Sequence, residues 1–265
     1  MDIAVSDLVQ VFGTAPNEIV ALERVTHRFP SQKVSCILGP SGCGKSTMVQ
    51  IIGGIEAYTS GRIEIGGNTN EPLGTHSVVV WQQLNLFPWR SVIDNVAFGL
   101  EMQGVAKAER HERARALIAS VGLRGFEGHR PPQLSGGMRQ RVALARALIM
   151  QRPIMLMDEP FAALDAQTKI VMQEELVRIY EANKMTIVFV TLAIDEAILL
   201  GDEVVVMTAR PGRIKEVLRV DLPRPRVQEM VNTPEFGRLY DRALHLIREE
   251  VLNAMRQQDA MVSAA

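Results

Sequence analysis

Gly39-Pro40-Ser41-Gly42-Cys43-Gly44-Lys45-Ser46-Thr47 places three glycines and a lysine in a run that could hold phosphate. The glycines let the backbone wrap close to phosphate oxygens. The amide hydrogens and the start of a following helix supply positive potential, and Lys45 adds a mobile full charge. Ser46 is placed to ligate magnesium. The run satisfies the P-loop pattern in its required context, since the apolar strand Val34 to Leu38 precedes it and an apolar helical stretch begins at Met48. A glycine-rich turn with a chance lysine would need neither flank. A second element, Ile154-Met155-Leu156-Met157-Asp158-Glu159, is an apolar strand that delivers Asp158 toward a metal and Glu159 toward an attacking water. Two acids closing a strand are by themselves often a solvated loop; beside a P-loop they complete a site for nucleotide hydrolysis. These two elements still leave kinases, GTPases, helicases and transport ATPases open.

Leu134-Ser135-Gly136-Gly137-Met138-Arg139-Gln140-Arg141 narrows the choice, because it resembles the ABC signature. Physically, Ser135 can cap a helix whose bare amides and glycines approach an anion. The resemblance implies that this anion is the γ-phosphate bound to the P-loop of a second ATPase subunit. It therefore implies a head-to-tail dimer with two composite sites. Other family elements fall in order: Phe12 matches the aromatic that stacks on adenine, Gln82 the Q-loop glutamine, and Ala163-Leu164-Asp165 the D-loop. The resemblance spans roughly residues 5 to 220. It implies ATP and Mg2+ as cofactors, with Lys45, Gln82 and Glu159 catalytic and Ser46, Gln82 and Asp158 around the metal. Nucleotide contacts are then expected from Phe12, from Gly39 through Thr47 (Gly39, Pro40, Ser41, Gly42, Cys43, Gly44, Lys45, Ser46, Thr47), and from Ser135, Gly136, Gly137 and Asp165. Asp195-Glu196-Ala197-Ile198 and Met207-Thr208-Ala209-Arg210-Pro211-Gly212-Arg213-Ile214 resemble the importer ATPases of the nitrate, sulfonate and taurine group. That likeness implies separate transmembrane permease subunits as partners, a solute-binding protein acting indirectly, and a place on the cytoplasmic face of the membrane.

Two positions depart from the family pattern: Met138, where many signatures carry Gln, which is common in importer-like sequences, and a second that matters more. Thr191 is followed by Leu192, where the family carries a switch histidine that hydrogen-bonds the γ-phosphate. The five histidines, at 27, 76, 111, 129 and 245, are all too far along the chain to supply it by a small shift. Leucine offers neither donor nor acceptor. Loss of one preorganised donor typically costs roughly 100- to 1000-fold in turnover, so slow or conditional hydrolysis is expected. The rivals are compensation by Gln82, Glu159 and the opposing signature; a nucleotide-gated association or regulatory subunit with little turnover; and a non-transport ABC ATPase acting on nucleic acid. A formal net charge of -1 lacks the footprint of a nucleic-acid binder, and no long coiled-coil insertion is present.

The elements that must position these residues follow from pattern. With 265 residues and 47% hydrophobic composition the chain can bury a sizeable core. Apolar runs at 34–38, 154–157, 185–190 and 203–207 are predicted to be strands of a largely parallel sheet buried on both faces, with shorter strands at 62–65 and 77–81. Ser91 with Asp94 reads as a capping box opening a mostly helical block, and Met138, Val142, Ala145 and Ile149 share one helical face. The fold class is thus α/β, a P-loop NTPase of ABC type with a largely parallel sheet core and an inserted helical subdomain, and the resemblance adds an N-terminal antiparallel β portion. The expected boundaries are a cassette at 1–220, helical subdomain about 88–150, and a mostly helical extension at 221–265, helical from roughly Pro234 to Arg256. An acidic residue at position 2, where a secretory signal needs a basic region, argues against export. Met185 to Ile194 is about half the ~20 residues a membrane span needs. Cys36 and Cys43 suggest no disulfide framework and fit a reducing cytoplasm. Trp89 and the methionines read as packing residues, the arginines of 210–226 as a solvated face, and Cys43 as a thiol whose labelling by maleimide would block nucleotide binding.

Overall fold

The computed structural model describes residues 1–69 and 71–264. In chain order it contains β1 (Ile3–Phe12), β2 (Ile19–Phe29), β3 (Val34–Leu38), α1 (Lys45–Ile52), β4 (Ser60–Ile65) and β5 (Ser77–Val80). The helical block follows as α2 (Val92–Val96), α3 (Phe98–Met102), α4 (Lys107–Ser120) and α5 (Gly136–Leu148). The chain then runs through β6 (Ile154–Asp158), α6 (Ala166–Asn183), β7 (Thr186–Thr191), α7 (Ile194–Leu200), β8 (Glu203–Met207), β9 (Ile214–Arg219) and α8 (Pro234–Ala264).

Two sheets form. β1 pairs antiparallel with β2 on one side and β4 on the other, giving the order β2-β1-β4. The larger sheet has the order β5-β6-β7-β3-β8-β9, parallel except for β9 at its edge. Every residue of β3, β6 and β7 is buried. That is the condition under which a strand becomes a continuous apolar run, because both faces of a parallel sheet are covered. One face packs on α6, α7 and α8 through Phe189, Leu176, Ile198 and Phe236. The other packs on α1 and the antiparallel sheet through Ile37, Val49, Leu156 and Leu8.

The topology decides where chemistry occurs. β6, β7 and β3 lie side by side in register, with Asp158 opposite Val190 and Thr191 opposite Leu38. Three carboxyl ends therefore emerge in a row: Asp158 and Glu159, then Leu192, then the glycine-rich loop. Ligands of open parallel sheets bind at such an edge.

The helices between Ser91 and Leu148 pack around an apolar cluster of their own, with Val96, Ala114, Ile118, Val142 and Ala145 buried. Ser91 caps α2 as predicted, accepting from the Asp94 amide at 3.2 Å. The predicted α5 face holds: Val142, Ala145 and Ile149 are buried and Met138 packs against the same cluster. Trp89 corrects its packing assignment, being 68% exposed.

The C-terminal segment is more tightly docked than its description as an extension suggests. Phe236, Ala243 and Leu246 on α8 enter the main core, and the helix continues past Arg256 to Ala264. The arginines before it are also not simply a solvated face. Arg226 is 3% exposed and donates to the carbonyls of Ile198 (3.1 Å), Gly201 and Val220 (3.1 Å). Arg224 pairs with Asp202 at 3.0 Å and lies over the Tyr180 ring. Carbonyls left over where β8, α7 and β9 turn need buried donors, and a five-donor guanidinium supplies them compactly.

Candidate nucleotide site

The loop after β3 is built around positions that exclude side chains. Gly44 caps α1 with φ 100°, and a Cβ there would lie 2.6 Å from Leu22 Cδ2 and 2.9 Å from the Ala21 carbonyl. Both the conformation and the space require glycine. Lys45 opens the helix, is 4% exposed, and donates from Nζ to the Gly39 and Pro40 carbonyls, each at 2.8 Å. The ammonium thus sits inside the ring of the loop.

β6 closes the other side. Ser46 Oγ donates to Asp158 Oδ1 at 2.9 Å, joining residues that are 112 positions apart in the chain. Glu159 leaves the strand with φ 44°, held there by its amide donating to the Val190 carbonyl at 3.0 Å. A left-handed conformation at a non-glycine residue is the kind of stored strain that functional sites retain. Burial holds both carboxyls above their ordinary range. For Asp158, the Ser46 hydrogen bond and Lys45 oppose this; for Glu159, Lys45 opposes it while Asp158 and Glu196 add to it.

A cleft of about 380 Å³ is bounded by Phe12, Ile19, Ala21, Ser41, Gly42, Gly44, Lys45, Ser46, Thr47, Glu159 and Arg210. Phe12 is 36% exposed at its rim, so an aromatic face is available above the phosphate-sized end. The structure therefore gathers Ser41, Gly42, Gly44, Lys45, Ser46 and Thr47 of the predicted loop, with Glu159 and Phe12, around one space, while Asp158 is bonded to Ser46 and the Gly39 and Pro40 carbonyls to Lys45.

Five expected residues stand elsewhere on the same chain, and a sixth points inward. Gln82 is exposed just beyond β5, on the strand neighbouring β6. Ser135 caps α5 by accepting from the Met138 amide at 3.3 Å. Asp165 caps α6, accepting from the Thr168 amide at 3.0 Å and hydroxyl at 2.7 Å. A Cβ on Gly137 would lie 2.6 Å from Thr168 Cγ2, so Gly136, Gly137 and the Asp165 cap form one surface patch. Cys43 is the inward residue: it is 1% exposed and joins the core below the loop, with burial pushing its thiol up. The maleimide expectation is thereby corrected, because only the Cys43 backbone is available to the cradle and its sulfur is shielded.

Leu192 directly follows β7 and is 49% exposed. Beneath it Thr191 donates to the buried Glu196, which also accepts from Gln173 at 2.9 Å. The histidines lie elsewhere: His27 is paired with Glu203, His76 with Glu71, His111 with Asp94 and His245 with Glu249, while His129 stacks near Phe126. Sequence reasoning missed Ile19, Ala21 and Arg210 as walls of the cleft. Around Arg210 the sequence showed only the importer likeness of Met207 to Ile214 and a run of arginines, and nothing in either specifies a partner 168 residues away.

A sequence profile of the ABC transporter family, described as "ABC transporter", matches residues 22–162. An uncharacterized ABC transporter ATP-binding protein of Methanocaldococcus jannaschii is 45% identical over 252 residues, covering 95% of this chain and 93% of that protein. A taurine import ATP-binding protein of Rhizobium johnstonii is 43% identical, covering 92% of each. A nitrate import ATP-binding protein of Synechocystis is 37% identical, covering 94% of this chain and 96% of the relative. Among solved structures, a dimeric bacterial ABC transporter cassette superposes with a TM-score of 0.73 at 30% identity, covering 83% of this chain and all (100%) of that one. Phosphate loop, strand-end acids and capped glycine pair thus stand in a chain of which 92 to 95% aligns with such relatives: it belongs to the ABC transporter family, as an ATP-binding and ATP-hydrolysing subunit.

Proposed function

We propose that this chain is the ATPase subunit of an ABC importer for a small solute of the nitrate, sulfonate or taurine kind, working on the cytoplasmic face of a membrane against separate permease subunits. The import assignment rests on the similarity to taurine and nitrate import proteins. Among the described residues no helix is long and apolar enough to cross a membrane, which fits a separate permease.

The observation that carries the catalytic reading is the Ser46 to Asp158 bond beside Glu159, because it brings the P-loop and the β6 acids to one end of the cleft. One hydroxyl and one carboxylate, both hard oxygen donors, suit a magnesium ion that also takes ligands from substrate phosphates. Among the described residues there is no cluster of three or more His, Cys, Asp or Glu side chains of the kind that holds a metal without substrate. Mg2+ would be held by Ser46 and Asp158 with the nucleotide, with Gln82, exposed beyond β5, as the further expected ligand, and would neutralise phosphate charge when bound. Lys45 binds the phosphate chain, Phe12 packs on the base, and Glu159 takes a proton from the attacking water. Ser135, Gly136, Gly137 and Asp165 serve the site of a second subunit, since they lie on a patch apart from their own cleft. The dimeric solved cassette supports that arrangement.

Glu159→Gln tests the assignment directly. Turnover is expected to fall about 100- to 10,000-fold, the range for a lost general base, with ATP affinity retained. Turnover within a few fold of wild type would remove Glu159 from the reaction. A second reading, slow hydrolysis, is favoured by the apolar Leu192 at the carboxyl end of β7.

A further inference from the structure

The cleft has one cationic wall that none of the assigned motifs supplies. Arg210 lies on the loop between β8 and β9 and lines the nucleotide cleft beside Gly42. Its Nε donates to the Gly42 carbonyl at 3.4 Å, and a Cβ on Gly42 would lie 3.2 Å from one of its terminal nitrogens. Nearby Arg213 is neutralised by Glu23 at 2.7 Å. Arg210 instead bonds a neutral carbonyl, so its charge remains available to an incoming anion.

The loop that carries it is fixed from two sides. Below, Gly212 donates to the Ala21 carbonyl at 2.9 Å and accepts from the Glu23 amide at 3.0 Å, so the loop is stitched to β2. A side chain at Gly212 would collide with the Cys43 carbonyl, so the loop leans directly on the P-loop. Above, α8 holds it. The Ala209 amide donates to Glu250 at 2.8 Å, and Gln257 Nε2 donates to the Arg210 carbonyl itself at 2.8 Å. Glu250 is in turn fixed by Lys215 at 2.7 Å. A second cavity of about 450 Å³ opens between this loop and α8, so Arg210 has the nucleotide cleft on one side and the helix on the other.

We infer that Arg210 is a further nucleotide-binding residue, pairing with the phosphate chain at the Gly42 side of the cradle, and that α8 sets nucleotide affinity by holding the Arg210 backbone through Gln257. The inference rests on the assignment of this cleft to the nucleotide. A guanidinium suits the role because it presents several donors to phosphate oxygens at once. It also gives the C-terminal helix a function at the site: displacement of α8 by anything that binds it would loosen Arg210 and weaken nucleotide binding.

The test is equilibrium binding of fluorescent ATP and ADP analogues to the full chain, with Lys45→Ala as the control for the cleft. Arg210→Ala is expected to raise both dissociation constants about tenfold, the scale of one partly solvated charge-assisted hydrogen bond. Arg210→Lys should recover part of that loss, and the melting temperature without nucleotide should stay unchanged. Gln257→Ala should raise the constants about threefold in the wild-type background and have no further effect in Arg210→Ala, as coupled sites do. If Lys45→Ala abolishes binding while Arg210→Ala stays within twofold of wild type, Arg210 is not a ligand. If the Gln257→Ala effect persists undiminished in Arg210→Ala, the helix does not act through Arg210. If neither Lys45→Ala nor Arg210→Ala weakens binding, the nucleotide assignment of the cleft itself falls.

Discussion

The role proposed for Glu159 sets two requirements at once: it must reach a water beside the phosphates, and it must be basic enough to take that water's proton. The left-handed turn at φ 44° aims it out of β6, and burial with Asp158 nearby holds its carboxyl above 4.5, the ordinary glutamate value, against the pull of Lys45. The acid limb of the rate profile should therefore lie above the usual carboxylate range, and Glu159→Gln should remove it from whatever residual turnover remains. The same shift has a stability consequence. A carboxyl whose pKa is raised on folding holds its proton more tightly in the folded state, so its favourable contribution is full below the unfolded pKa and is lost as pH rises through the folded one. Glu159→Gln should accordingly melt higher than wild type at neutral pH, with the difference shrinking as the pH is lowered toward 4. Leu192 offers a separate measurement at this scale. If a missing donor limits the reaction, Leu192→His should raise turnover under saturating MgATP, by up to the ~100-fold or more that one preorganised donor supplies. Equal rates would show that the surrounding groups compensate.

Among the elements, the turn between α7 and β8 carries the most concentrated electrostatics outside the cleft. Asp202 lies immediately before β8, where its Oδ2 accepts from the Val34 amide at 2.9 Å and its Oδ1 from Arg224 Nε at 3.0 Å. Burial pushes this carboxyl up, but Arg224, the Val34 amide and Lys33 together outweigh it and hold the group below 3.8. Its stabilisation is thus present above the unfolded pKa and lost as pH falls through the folded one. Arg226 behind it is pushed down to about 10 by burial and by Arg224, so it remains charged at neutral pH. Asp202→Asn should cost about 3 kcal/mol, because it takes the carboxylate from the buried Arg226 and leaves the half-buried Arg224 with Glu181 alone at 3.7 Å. Chemical unfolding at pH 7 would show the loss, and it should narrow in acid. A variant as stable as wild type would mean that the carbonyls around Arg226 satisfy it without the carboxylate.

For the whole molecule, the two halves of the proposed site face different directions on one chain. The cleft has Lys45, Ser46 and Glu159, whereas Ser135, Gly137 and Asp165 gather on a separate patch joined through Thr168. Head-to-tail pairing of two copies would bring one chain's patch to the other chain's cleft. Mixing Lys45→Ala with Ser135→Arg should then restore activity that neither has alone: each mixed dimer regains one intact site, or about a quarter of all sites under random two-fold assembly. Absence of any recovery in confirmed mixed dimers would mean that the patch does not complete the site.

Much of this was written locally. The P-loop, the acids ending β6 and the capped glycine pair at Ser135 are short motifs whose chemistry depends on spacing within a few residues, so residue types alone disclosed them. The apolar runs of β3, β6, β7 and β8 were equally legible, because burial on both faces leaves a continuous hydrophobic signature. What the order of residues could not reveal was which side chains from distant strands share a wall. Phe12 is joined to the cleft by packing of the antiparallel sheet against the larger one, Arg210 by a loop 168 residues from Gly42, and Cys43 is turned into the core by the curvature of the very loop that names it. Those outcomes depend on strand order and loop packing, which are long-range choices made by the buried surfaces together rather than by any one segment.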